Sequence, residues 1–322
     1  MSHLKSIILS ICLTFFVISE SFAKSDVYYI MEKAKTGVVS IVITKKDSAT
    51  SLGTGFFIGK NLILTNHHVV GNSGTTLNLF ALNSSERYDI DVVYDDELTD
   101  VSFIKLRDIE TFYKNNTPYI FEFAIDSEIY TTQEVYAIGH PWGLLWSVSK
   151  GIISSDLRHE VGSVTPDYSI QTDAHVFSGN SGGPLLTSDG SVVGMNSSMI
   201  AQNGGSYGFA VPAPILKKLL NDFNKYNEVR WASIGFTIDP TRTIRDLTAD
   251  KPGIKSGLKI NDVIVSIKTN NGTITPKSND EVIEAIASSD YGVPIDFGIL
   301  RDGKTITIKI QASYNKSEFY KK

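Results

Sequence analysis

Ser181 stands in the segment Gly179-Asn180-Ser181-Gly182-Gly183-Pro184, whose composition suits a turn better than a strand or a helix. A turn here leaves the hydroxyl exposed and lets the amides of Gly179 and Ser181 point at one spot. Two convergent amides stabilise the oxyanion that forms when a serine attacks a carbonyl. An alcohol is a weak nucleophile, so this chemistry requires an imidazole to take its proton and a carboxylate to hold the imidazole in the right tautomer. Both types occur upstream, each beside an apolar stretch. Leu62-Ile63-Leu64-Thr65-Asn66-His67-His68-Val69-Val70 reads as a strand running into adjacent histidines. Thr99-Asp100-Val101-Ser102-Phe103-Ile104-Lys105-Leu106 puts an acid just before a strand with alternating polar groups.

The order His, Asp, Ser is the one used by chymotrypsin-type double barrels, unlike that of subtilisins or α/β-hydrolases. Thr65-Asn66-His67-His68-Val69, Thr99-Asp100-Val101 and Gln171-Thr172-Asp173-Ala174 leading into the serine turn resemble the catalytic segments of the HtrA (Deg) family of trypsin-fold serine proteases. The similarity extends to Gly53-Thr54-Gly55-Phe56-Phe57-Ile58, to Ala137-Ile138-Gly139-His140-Pro141-Trp142-Gly143 and to Gly204-Gly205-Ser206-Tyr207-Gly208-Phe209-Ala210-Val211-Pro212. Several ordered matches at compatible spacing are far more specific than any one of them. The resemblance implies that His68, the imidazole directly before the valine, is the base, that Asp100 orients it, and that Ser181 is the nucleophile. It also implies an oxyanion hole made by Gly179 and Ser181, and no cofactor. His67, His140 and His159 read as surface or satisfied core residues, and Asp95 and Asp96 as a solvated turn.

From Val38 to Val211 short apolar strands alternate with Gly, Asn, Asp and Ser turns, as in an all-β barrel pair. Pro214 is placed to open a helix over 215–223, since a first-turn proline loses no hydrogen bond. After a polar link, 224–228, a second unit begins. Ser233-Ile234-Gly235-Phe236, the stretch from Gly257 to Ile267, a helical Asn279–Ala287 and a hairpin at Arg301-Asp302-Gly303-Lys304 resemble a single PDZ domain. Asn261 stands where that family usually has glycine, and asparagine also tolerates a left-handed conformation. The expected architecture is an all-β chymotrypsin/trypsin-like double β-barrel protease over 24–225, followed by an α+β PDZ domain over 229–315.

The chain has 322 residues, a formal net charge of −5 and 42% hydrophobic residues, enough for two cores and with no basic excess to attract nucleic acid. Lys5, the apolar run from Ile7 to Ile18, and Ser19-Glu20-Ser21-Phe22-Ala23 read as a secretory signal cleaved after Ala23, giving an exported, periplasmic protein. As a helix that run would reach only ~18 Å, against a hydrocarbon core of ~30 Å. The single cysteine, Cys12, lies within it, so the mature protein is expected to carry neither thiol nor disulfide. The histidines lack the spacing of a zinc site, and no metal is expected.

Four further expectations concern specificity, assembly and control. Tryptic cleavage needs a buried carboxylate at the pocket base, six residues before the nucleophile, and His175 occupies that position. The resemblance implies instead a preference for small or medium aliphatic residues. It also implies a homotrimer, for which Val27-Tyr28-Tyr29-Ile30 offers an apolar cluster. In the PDZ unit, amides around Ile234-Gly235-Phe236 would take the carboxylate of unfolded protein or peptide C-termini, the peptide adding as a strand. Arg158, expected in a loop over 154–167, is the candidate that relays occupancy to the oxyanion turn. The competing reading is a chaperone or peptide-binding module on a protease fold.

Overall fold

The structure, a computed structural model, describes residues 24–44, 50–71, 76–97, 99–126, 129–159, 168–202 and 205–314. The expected signal segment with its cleavage point after Ala23 lies outside the described residues, as do positions 160–167 of the expected control loop.

Twelve strands form two closed antiparallel barrels. The first comprises β1 (Val38–Thr44), β2 (Thr50–Gly59), β3 (Leu62–Thr65), β4 (Thr76–Phe80), β5 (Tyr88–Asp96) and β6 (Val101–Leu106), in the order β1-β2-β3-β6-β5-β4. The second comprises β7 (Glu134–Gly139), β8 (Ser147–His159), β9 (Tyr168–Thr172), β10 (Pro184–Leu186), β11 (Val192–Gln202) and β12 (Gly205–Pro212), in the order β10-β11-β12-β9-β8-β7. Successive side chains on a strand point to opposite faces. Ile41, Phe57, Ile63 and Ile104 accordingly fill the first barrel, while their neighbours Phe56, Leu64 and Phe103 point outward into a seam. Val135, Ala137 and Leu185 fill the second barrel, and Tyr136, Ile138 and Leu186 meet the first across that seam. Both faces are apolar, which is why these strands read as nearly continuous hydrophobic runs.

The helix Ala213–Tyr226 is longer than the expected 215–223 and includes the first residues of the expected link. Ile215, Leu216, Leu219 and Phe223 bury one face of it in the seam cluster. Lys218, fully buried, pairs with Asp222 at 2.5 Å. The pair also clamps the main chain ahead: Lys218 Nζ donates to the Arg230 carbonyl at 2.7 Å, and the Arg230 amide donates to Asp222 Oδ2 at 2.7 Å. The connection is therefore bonded to the protease domain rather than a free polar tether. Burial lowers the Lys218 pKa, and Asp222 opposes that shift.

The second unit contains β13 (Ala232–Ser233), β14 (Phe236–Ile238), β15 (Ile244–Leu247), β16 (Val263–Thr269), β17 (Gly272–Ile274), β18 (Ile295–Arg301), β19 (Lys304–Ile310) and β20 (Ser313–Tyr314). Its main sheet runs β17-β16-β18-β19, with β13 pairing β20 and β14 pairing β15. The helix Asn279–Ala287 coincides with the expected one, capped by the Ser278 hydroxyl, which accepts the Glu281 amide at 3.2 Å. Asn261 is left-handed at φ 72°, and Asp302-Gly303 turns the β18–β19 hairpin.

Two expectations are corrected. Asp95 and Asp96 belong to β5 rather than a turn: Asp95 is exposed, as expected, and binds His67 Nδ1 at 2.8 Å, whereas Asp96 is buried and accepts from Thr99 Oγ1 at 2.9 Å. Arg158 lies on β8 paired with Ser169, not in a loop.

Candidate active site

Each catalytic candidate sits where a strand ends at the seam. After β3 the chain turns through a single helical turn, His67–Val70, anchored by the burial of Val69 and Val70. This carries His68 to the surface, with its side chain 49% exposed. Asp100 precedes β6 in a left-handed conformation, φ 55°, an uncommon state for a non-glycine residue. Asn66 Nδ2 holds it there by donating to the Asp100 carbonyl at 2.8 Å.

The carboxylate of Asp100, buried, receives four bonds. His68 Nδ1 lies 2.9 Å from both of its oxygens, and the His68 amide donates to Oδ1 at 3.0 Å. Ser197, on β11 of the other barrel, donates its hydroxyl to Oδ2 at 2.5 Å. A carboxylate only accepts, so His68 must carry its proton on Nδ1, leaving Nε2 free as a base. Ser181 Oγ donates to the Ser197 carbonyl at 3.0 Å, and among the described residues no bond joins it to His68.

The serine turn is held from both sides. The Thr54 amide donates to the Ser181 carbonyl at 2.9 Å, and the Gly182 amide to the Asn196 carbonyl at 2.8 Å. Gly179 and Gly182 have φ of 104° and 84°. A Cβ on Gly179 would stand 2.2 Å from the His140 carbonyl, and one on Gly182 2.1 Å from that of Thr54, so the turn needs glycine at both places. The Trp142 amide donates to the Ser178 carbonyl at 2.9 Å. Because the peptide plane is rigid and trans, this bond turns the Gly179 N–H the opposite way. Neither the Gly179 nor the Ser181 amide has an acceptor among the described residues. Two such amides are what the expected oxyanion hole requires.

Thr54 Oγ1 donates to the Gly179 carbonyl at 2.6 Å and contacts His140 Nδ1 at 2.8 Å. The hydroxyl has one proton, so Nδ1–H of His140 must be the donor to Thr54. The chain His140–Thr54–Gly179 thereby runs into the oxyanion turn. His140 is a core residue, as expected, but only half satisfied: its Nε2 is buried without a partner among the described residues. Burial pushes its pKa down to about 3.

Ser197, Thr54 and Trp142 were not singled out from the sequence, and only Thr54 and Trp142 lay in motifs that pointed to the site. His175 is exposed rather than buried at a pocket base; its ring stands 5.7 Å from Phe177, and its carbonyl takes bonds from Ser149 and Asn180. Arg158 Nε donates to Gln171 Oε1 at 2.7 Å. In the second unit Gly235 is left-handed, φ 80°, and its amide has no acceptor among the described residues. Ile234 is buried, its carbonyl taken by the Gly253 amide at 2.8 Å. Phe236 opens β14, which pairs β15 along one edge only.

Two six-stranded barrels with a histidine, an aspartate and a serine meeting between them define a trypsin-like serine peptidase fold, here followed by a PDZ domain. Residues 53–195 match the trypsin-like peptidase domain family and 232–312 the PDZ domain family. The chain belongs to the HtrA (Deg) family of serine proteases, with one PDZ domain. It is 30% identical over 284 residues to a protein named probable periplasmic serine endoprotease DegP-like from Chlamydia muridarum, covering 83% of this chain and 54% of that protein. It is 29% identical over 281 residues to periplasmic serine endoprotease DegP of Salmonella typhimurium, covering 81% and 56%. The chain thus spans about half the length of the curated relatives it matches. Among solved structures, the serine endoprotease from Yersinia pestis superposes with a TM-score of 0.61 at 25% identity, covering 91% of this chain and 100% of that one. The HtrA-type protease AlgW with tripeptide gives 0.68 at 24% identity, covering 90% and 98%, a likeness of fold.

Proposed function

We propose that the chain is an exported, periplasmic serine endopeptidase that cleaves unfolded or damaged proteins through an acyl-enzyme and is regulated by its PDZ domain. The observation that carries this reading is the pair of unpartnered amides at Gly179 and Ser181 beside a His68 whose Nδ1 is committed to Asp100. Ser181 Oγ turns from the Ser197 carbonyl toward His68, whose Nε2 takes its proton as the oxygen attacks the scissile carbonyl. The carbonyl oxygen becomes an oxyanion held by the two amides. His68 then returns the proton to the leaving amine, and water, activated in the same way, releases the acyl group.

The free edge of β14 is suited to adding a substrate C-terminus as a strand, with the Gly235 amide for its carboxylate. Arg158, through Gln171 on β9, is the relay between that event and the turn preceding Ser181. Tyr28 and Tyr29, exposed and in edge contact at 5.3 Å, are the surface for a homotrimer.

Casein digestion by the parent enzyme and by Ser181→Ala tests the activity; near-native cleavage by the variant overturns it. A peptide with a hydrophobic C-terminus should stimulate the full chain and lose that effect in Arg158→Ala. Sedimentation should show a trimer that weakens when Tyr28 and Tyr29 are both replaced by alanine.

A further inference from the structure

We infer that an apolar surface beside the oxyanion turn, formed by Leu52, Leu144 and Leu145, binds hydrophobic side chains just after the scissile bond, so that the enzyme selects its substrates on the leaving-group side. The inference rests on the peptidase reading above and names a substrate class for that same site.

Leu52, Leu144 and Leu145 are 40%, 63% and 52% exposed, with Trp142 at 69% beside them. Single exposed leucines are ordinary, whereas an exposed apolar cluster at a cleft marks a binding surface. These residues come from two separate elements, β2 and the segment between β7 and β8. The two are adjacent: a Cβ on Gly143 would stand 3.6 Å from Leu52 Cδ1.

The surface adjoins the catalytic turn. Leu52 lies two residues before Thr54, whose amide and hydroxyl hold the Ser181 and Gly179 carbonyls. Leu144 lies two residues after Trp142, whose amide holds Ser178 and whose ring stacks on Phe177 at 4.3 Å.

The sheet order decides which half of a substrate reaches this place. β10 pairs with β11 only as far as Met195, and beyond that point no strand among the described residues takes this edge of β11. The acyl half of an extended peptide can pair there, next to the carbonyl that now holds Ser181 Oγ. The chain after the scissile bond must then leave on the other side of Ser181, past Gly179, where β2 and the Trp142 loop stand.

The loop is built to hold its leucines outward. Trp146 Nε1 donates to the Val38 carbonyl at 2.9 Å, and its ring packs on His140 at 5.0 Å. The Leu144 amide bonds the Pro141 carbonyl at 2.8 Å, and Ser147 Oγ bonds the Leu144 carbonyl at 2.8 Å. With both ends fastened, little ordering entropy is lost when a side chain lands between them.

The test uses peptides with one common acyl half and either leucine or serine at the first three positions after the cleavage point, beside an activated nitrophenyl ester of the same acyl half. The parent should cleave the leucine peptides about 10-fold more efficiently in kcat/KM, the usual scale for an apolar contact. The double variant Leu52→Ser, Leu144→Ser should lose most of that preference, relative to its own rate on the ester, which has no residue beyond the leaving group. A preference that persists in the variant overturns the inference, as does a variant that loses ester and peptide cleavage in equal proportion or changes its sedimentation, since the surface then supports the fold or covers a second copy. A parent that hydrolyses neither ester nor peptide overturns the peptidase reading itself.

Discussion

Ser181 and Ser197 are joined by a 3.0 Å bond from the nucleophile's hydroxyl to the other residue's carbonyl, while the hydroxyl of Ser197 reaches Asp100 at 2.5 Å. One residue of the second barrel thus contacts both ends of the candidate catalytic set. Ser197→Ala keeps the carbonyl and removes the bond to Asp100. Loss of a charge-assisted bond of about 1.5–3 kcal/mol should lower kcat by about 10–100-fold, with KM little changed. Steady-state kinetics on a peptide substrate checks this; an unchanged kcat would show that Asp100 needs no partner beyond His68.

Trp142 fixes the Ser178 carbonyl, and through it the direction of the Gly179 amide. Its left-handed backbone, φ 49°, is held by that bond and by the stack on Phe177. Trp142→Ala should cost about 10²-fold in kcat, the scale of one lost oxyanion donor, and Trp142→Phe should recover most of it. Equal losses in both variants would contradict a role through ring stacking.

His140 is neutral and buried, with a pKa of about 3 in the fold against 6.5 as its ordinary value. Between these values the unfolded chain binds the extra proton, so stability is present above pH 6.5 and falls as pH drops toward 3. At pH 5 this group alone should destabilise the protein by about 2 kcal/mol relative to pH 7. His140→Asn, which does not titrate, should flatten that part of the profile in thermal melts at the two pH values.

Glu284, on the PDZ helix, lines a cavity of about 420 Å³ together with Asp126 and Asp156 of the protease domain. Burial first, then Asp156, Asp126 and Glu281, raise its carboxyl to about 7. A raised carboxyl pKa contributes stability that is full below its ordinary value of 4.5 and is lost as pH rises through 7. Glu284→Gln should therefore raise the Tm at pH 8 and leave it nearly unchanged at pH 4. A Tm gain at pH 4 as large as at pH 8 would show that the effect is packing rather than charge.

Much of this site is legible in the sequence because each part has a local cause. Gly179 and Gly182 are required by backbone approaches that a Cβ would block, and Asp100 sits one residue ahead of an apolar strand. The Ser197 contribution comes half from a main-chain carbonyl, which leaves no mark on residue type. Asp96 looks solvated in sequence because carboxylates usually are, yet the turn after β5 folds Thr99 back onto it; Asp95 does stay exposed, and meets His67 because the closed barrel brings that turn near. His175 falls at the position six before the nucleophile, yet side-chain direction is set by the path of the turn, which points it to solvent. Arg158 reads as loop because its surroundings are polar, whereas pairing with β9 extends the strand.

Activation of Ser181 by His68 and Asp100 is the step on which the proposed peptidase function depends. Intact-protein mass spectrometry after brief exposure to a fluorophosphonate, followed by peptide mapping, tests it most directly. A single adduct at Ser181 is expected in the parent, none in Ser181→Ala, and labelling slowed by orders of magnitude in His68→Ala. An adduct on another residue with Ser181 unmodified, or equal labelling of Ser181 with and without His68, would contradict it.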